Sequence, residues 1–205
     1  YIPFEFVEKA LSSLSEKWTG EPMAVSKQPQ PEPMTESVLY FIDVPNSKQS
    51  VLYIGSLALA ADNEDAVKLD FANEILGGGS SGRLFQTLRI QKGYTYGASS
   101  GVPSRKEVAP FTISSSVRSN ATLPSLEIIK EMVANYGANF TEKEVQLTKN
   151  KVVKANTRAF ESLNAKLGIL TNIDKYGKPL NYIDAEQQIL AAMELTDFLN
   201  NLQGR

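Results

Sequence analysis

The feature that most constrains this chain is a change of hydrophobic period part-way along it. Up to about residue 117 the apolar residues come mainly in short runs rich in branched and aromatic side chains, and after residue 122 they recur every three to four positions. Four strands are predicted. Val38 to Val44 (VLYFIDV) and Val51 to Ala58 (VLYIGSLA) are separated by a Pro45-Asn46-Ser47 turn signal, and Tyr94 to Val102 and Ala109 to Val117 are joined by a polar loop with Arg105 and Lys106. Helical spacing is found from Phe6 (Val7, Ala10, Leu11, Leu14, Trp18), with Gly20 as its stop, and again from a cap at Asp62 or Asn63 through Leu76 (Val67, Phe71, Ile75). A short helix capped by Ser80 or Ser81 carries Leu84, Phe85 and Leu88 and ends at Gly93. The later helices are Leu123 to Tyr136, a long one opened by the capping box Thr141–Glu144 and running to about Phe160, then Ser162 to Tyr176, Tyr182 to Met193 and Leu195 to Leu202. Strands early and helices late predict an α+β layer structure.

Between the first helix and the first strand run, Pro22, Pro29, Pro31 and Pro33 stand among polar residues, which favours extended chain over a packed element. Residues 1–36 therefore read as a helix plus a Pro-rich connector, and residues 37–205 as one α+β domain. The chain begins at Tyr1 with neither an initiator Met nor a charged-then-apolar leader. A fragment is the expectation.

Composition removes whole classes of chemistry. The 205 residues contain no Cys and no His, so thiol nucleophiles, thiolate metal sites, a Ser-His-Asp triad and the commonest zinc ligand are all excluded. A net charge of −2, spread without blocks, offers no basic stripe for nucleic acid. The longest apolar run, near Leu57 to Ala61, is far short of the ~20 residues of a membrane span.

Two places carry candidate chemistry. The segment Leu76-GGGSSG-Arg83 resembles a phosphate loop only in its glycines: no Gly-Lys-Ser/Thr follows and the preceding element is a helix, so a helix-to-helix turn is the better reading. Arg89 and Tyr96 flank Gly93, one at a helix end and one at a strand start, where they could meet. A planar cation and a phenol suit a peptide carbonyl or a developing oxyanion, although spacing alone favours Arg89 in a surface pair and Tyr96 on a half-buried sheet face. The acidic pairs Glu142/Glu144, Asp62/Glu64/Asp65 and Asp184/Glu186 fall in first helical turns and read as dipole partners.

From about Val38 onward the ordered segments DVPNSKQSVLYIG, DFANEILGGGSSGRLFQTLR and GYTYGASSGV resemble the metal-free half of the M16 (pitrilysin/insulysin-like) zinc peptidase family. Asn73 before the glycines, Arg83-Leu84, and Leu88-Arg89 with a Tyr seven residues later stand in family order. The resemblance implies a LuxS/MPP-like metallohydrolase half, a mostly antiparallel sheet covered by helices on one side. It implies a clamshell in which the partner half, in the same polypeptide or in a separate subunit, holds the zinc, so that no cofactor belongs to this chain and this chain alone is inactive. It further implies that extended peptide adds to a sheet edge of the zinc half, with Tyr96 donating to the scissile carbonyl oxygen and Arg89 holding a substrate carbonyl or terminus. Gly77, Gly78 and Gly79 would form a short substrate-binding loop near the cleft. A family half normally closes with one more strand, so truncation and a homodimer of the fragment through exposed edges are expected as well. The alternative is a structural or assembly subunit that keeps the fold and takes no part in hydrolysis.

Overall fold

The computed structural model describes residues 2–21, 23, 29, 31–157 and 160–196. The chain divides into two units, residues 1–30 and 31–205.

The first unit contains α1 (Phe4–Lys17), which opens behind Pro3 in extended conformation and has Glu5 in its first turn and Lys17 in its last, each matched to the helix dipole.

The second unit is built on a three-stranded antiparallel sheet of β1 (Gln49–Leu57), β2 (Thr95–Gly101) and β3 (Pro110–Arg118), in the order β1-β3-β2. β1 and β3 pair without interruption from Gln49 opposite Arg118 to Leu57 opposite Pro110. Among the described residues six α-helices accompany the sheet in this unit: α2 (Ala66–Gly77), α3 (Arg83–Phe85), α4 (Thr122–Ala134), α5 (Glu142–Thr157), α6 (Leu163–Tyr176) and α7 (Tyr182–Ala192). The α+β class and the antiparallel sheet are as expected.

One predicted strand does not form. Val38 to Val44 is exposed chain without regular secondary structure, outside the sheet, so the described sheet has three strands and not four. The turn that follows gives the reason. Ser47 N–H donates to Val44 O at 3.2 Å, Pro45 takes the first corner, and Asn46 takes φ 65° at the second, the pattern of a type II turn. Such a turn splays flanking strands, whereas the primed turns bring them together.

Alternation places the core. Leu52 of β1, Ala98 of β2, and Ile113 and Val117 of β3 face one side of the sheet, where Leu76, Leu84, Leu88 and Ile129 of the helical layer bury against them. A second cluster lies on the far side of α2, where Phe71, Ala72 and Ile75 pack with Phe140, Val145, Leu190 and Met193. Helix α2 is thus apolar on two faces because it is sandwiched between the sheet and the α5 and α7 layer.

Local chemistry fixes the remaining ends. The capping box forms as predicted: Glu144 N–H donates to Thr141 Oγ1 (3.3 Å) and Thr141 N–H donates to the Glu144 carboxylate (3.0 Å). Ser162 Oγ accepts Ala165 N–H at 3.1 Å, and Gly177 ends α6 in the left-handed region at φ 64°. Two predicted caps are corrected. Asn63 Oδ1 binds Asp65 N–H at 2.9 Å and shapes the turn before α2 without capping it, and Gly82, not Ser80 or Ser81, occupies the cap position of α3. Most of the predicted helix from Leu195 to Leu202 lies outside the described residues.

Candidate functional site

Helix α3 continues without a break into a π-helical turn, Gln86–Gln91, in which Lys92 N–H donates to Thr87 O at 3.0 Å, five residues back. Leu88 of this turn is fully buried against the sheet while its neighbour Arg89 is exposed. Gly93 then reverses the chain at φ 63°, a conformation that favours glycine, and β2 begins.

Tyr96 is the second residue of β2, and its direction is decided by an irregularity. Ala98 pairs with Ser115 and Thr95 with Val117, so Tyr96 and Gly97 together stand opposite the single residue Ser116. This two-against-one arrangement is a β-bulge. In an uninterrupted ladder Tyr96 would lie opposite Val117 and share the covered face with Ala98, which is 5% exposed. The bulge turns it round instead, and Tyr96 stands 82% exposed on the helix-free face.

The two sequence-predicted residues meet there. An Nη1–H of Arg89 donates to the Tyr96 carbonyl oxygen. Its guanidinium lies over two rings, 5.4 Å from the Phe85 centroid and 5.6 Å from that of Tyr96. Among the described residues no carboxylate pairs with Arg89, which leaves donors of its fork open to a ligand. Tyr96 borders an open concavity of about 470 Å³ on the free sheet face, lined also by Val51 and Tyr53 of β1 and by Ser99, Ser114 and Ser116. The lining carries no charged side chain and is dominated by hydroxyl groups. Such a wall offers hydrogen bonds and aromatic contact to an uncharged backbone.

The glycines sit elsewhere. Gly77, Gly78 and Gly79 do not line that concavity. A Cβ on Gly77 would collide with the backbone and side chain of Ser100, and one on Gly78 with Glu74, so these two glycines let α2 close on β2 and then turn away. Gly79 adopts φ 76°. Asn73 reinforces the same junction: its Nδ2 donates to Ser100 O at 3.1 Å while Ser100 Oγ donates to its Oδ1 at 2.6 Å. Lys151 of α5 reaches Gly78 O at 2.9 Å and pairs with Glu74.

Among the described residues no zinc site is found. The chain has neither His nor Cys, and among the described residues no cluster of three His, Cys, Asp or Glu side chains converges. Nor is any described helix long and apolar enough to cross a membrane.

Sequence reading missed Thr95 and Ser115, whose hydroxyls are hydrogen-bonded within the bulge. A signal was present: in Phe111-Thr-Ile-Ser-Ser-Ser-Val117 the apolar positions alternate, and Ser115 occupies one of them.

The fold is that of an α+β domain whose antiparallel sheet is covered by helices on one side. The family model of the peptidase M16 inactive domain matches residues 4–152, and the chain belongs to that family. It is 30% identical over 156 residues to an uncharacterized zinc protease, YmxG, of Bacillus subtilis, covering 74% of this chain and 37% of that protein. Among solved structures it is similar to a peptidase M16 inactive domain from Pseudomonas fluorescens, at 25% identity and a TM-score of 0.84 over 98% of this chain and 48% of the other. A protease from Helicobacter pylori shares the fold, with 16% identity and a TM-score of 0.75 over 97% of this chain and 49% of the other. The chain thus spans less than half the length of each of these relatives.

Proposed function

We propose that this chain is the non-catalytic half of an M16-type zinc metallopeptidase, completing a peptide-cleaving site whose zinc is held by another half, in the same polypeptide or in a partner subunit. In this reading an extended peptide lies between the halves, the Tyr96 hydroxyl donates a hydrogen bond to the scissile carbonyl oxygen as charge develops there, and Arg89 holds a neighbouring carbonyl or a terminus. The observation that carries it is the bulge. A tyrosine that regular pairing would turn toward the helices is aimed outward, beside an arginine with no carboxylate partner among the described residues.

The test is reconstitution with the zinc-bearing half. The chain alone should hydrolyse nothing, the assembly should cleave peptide, and Tyr96→Phe should lower kcat by about 10²–10³, the range for one oxyanion donor. Undiminished kcat in Tyr96→Phe would overturn the assignment. A zinc half that cleaves equally well without this chain would make it a structural subunit.

A further inference from the structure

We propose that Ser115, acting with Thr95, is a positioning residue whose hydroxyl holds the β-bulge and so keeps Tyr96 on the open face; its effect on catalysis rests on the role proposed for Tyr96 above.

The covered face of β3 reads Ile113, Ser115, Val117, and Ser115 is 5% exposed among apolar neighbours. A buried hydroxyl in such a place costs free energy unless it is hydrogen-bonded, and an alanine or valine would suit the core better. What the hydroxyl binds is the bulge itself. Ser115 Oγ lies 2.9 Å from Gly97 O and 3.1 Å from Thr95 Oγ1. Thr95 Oγ1 accepts Gly97 N–H at 3.0 Å and lies 2.6 Å from Ser116 O and 2.8 Å from Gly97 O. Each hydroxyl has one proton. With Ser115 donating to Gly97 O and Thr95 donating to Ser116 O, both protons are used and Gly97, freed from regular pairing, has its N–H and its C=O satisfied.

The competing arrangement differs by one residue. Without the bulge the ladder would run on from Ala98 opposite Ser115 to Gly97 opposite Ser116 and Tyr96 opposite Val117, returning the phenol to the helix side. Arg89 binds the Tyr96 carbonyl but makes no bond to Gly97, so Ser115 and Thr95 are the side chains that select between the two ladders.

The experiment compares Ser115→Thr with Ser115→Val. These side chains have nearly the same shape, so any packing effect of the added methyl is shared and only the hydroxyl differs. In the purified chain, tetranitromethane nitration of Tyr96, read by peptide mass mapping with Tyr53 as internal standard, should be near wild type for Ser115→Thr. For Ser115→Val it should fall, because losing one buried hydrogen bond, about 1.4 kcal/mol, lowers the ratio of bulged to regular ladder about tenfold. Thr95→Ser against Thr95→Val repeats the comparison should position 115 not tolerate the larger side chain. In the assembly with the zinc-bearing half, Ser115→Val should lower kcat while KM holds, with Ser115→Thr restoring it. Equal Tyr96 nitration in the Val and Thr variants overturns the inference, as does unchanged kcat for Ser115→Val where Tyr96→Phe is impaired. If Tyr96→Phe is itself unimpaired, the reading of the site fails and nitration alone decides whether Ser115 aims the ring.

Discussion

Removing the charge pair of Arg83 should loosen the helix that delivers Arg89. Arg83 Nε donates to Glu144 Oε1 at 2.7 Å and Nη2 to Oε2 at 2.8 Å, a two-pronged bond from α3 to α5, and Nη2 also reaches Asn139 O at 2.5 Å. The guanidinium lies 5.3 Å from the ring centroids of both Tyr136 and Phe140. The two side chains are 19% and 28% exposed, between the surface and the buried case. Truncating one partner of a buried pair costs about 3–5 kcal/mol and an exposed pair contributes about 0–1, so Glu144→Gln should cost about 2 kcal/mol. For a domain of this size that is about 4–8 °C in Tm. Denaturant titrations of Glu144→Gln, Arg83→Met and the double variant should return a coupling energy of about 1–2 kcal/mol. The acid limb gives a second reading. Burial pushes the Glu144 carboxyl up, but hydrogen bonds from Arg83 and Thr141 outweigh it and hold the carboxyl below the ordinary glutamate range. A carboxylate lowered in the folded state contributes stability in full above the unfolded value, about 4.3, and that stability is lost as pH falls through the folded value. Wild type should therefore lose more stability than Glu144→Gln as pH drops below about 4.3. Strictly additive single effects, or acid profiles that run parallel, would refute the reasoning.

Two further substitutions probe the frame of the site. Gly77→Ala sets a Cβ against the β2 backbone at Ser100, and because that strand cannot move without its partners the cost should approach the upper end of the overpacking range, about 3 kcal/mol; an unchanged Tm would contradict the contact. Leu88→Ala empties a fully buried position beneath the π-turn and should cost about 2–5 kcal/mol in chemical denaturation, with a loss under about 1 kcal/mol as the contrary result.

Most of the fold could be read from the sequence because its elements are locally consistent. β2 and β3, α2, α4 and the start of α5 lie where alternation, helical spacing and the Thr141–Glu144 box put them. Val38 to Val44 was misread for a physical reason: branched and aromatic residues report fitness for a sheet, whereas strand formation needs a neighbour, and the turn at Pro45-Asn46 points the segment away from β1. The caps failed similarly. Several small polar residues stand before α2 and α3, and which of them meets a free N–H is settled by backbone geometry that residue type does not encode.

The site illustrates a deeper limit of periodicity. Arg89 and Tyr96 are seven residues apart, and no regular element predicts how they face each other, because the chain changes from helix to strand at Gly93 between them. Two local insertions then reset the count. The π-turn widens the helix by one residue, burying Leu88 and leaving Arg89 on the outside, and the bulge adds one residue to β2, moving Tyr96 from the covered face to the open one. Were only the bulge removed, the phenol would face the core; with it, the guanidinium bridges to the Tyr96 carbonyl and lies over its ring. Regular spacing is what sequence patterns measure, and this pair is brought together by departures from it. The trace such a departure leaves is a residue that breaks the pattern at a buried position, which in this chain is Ser115.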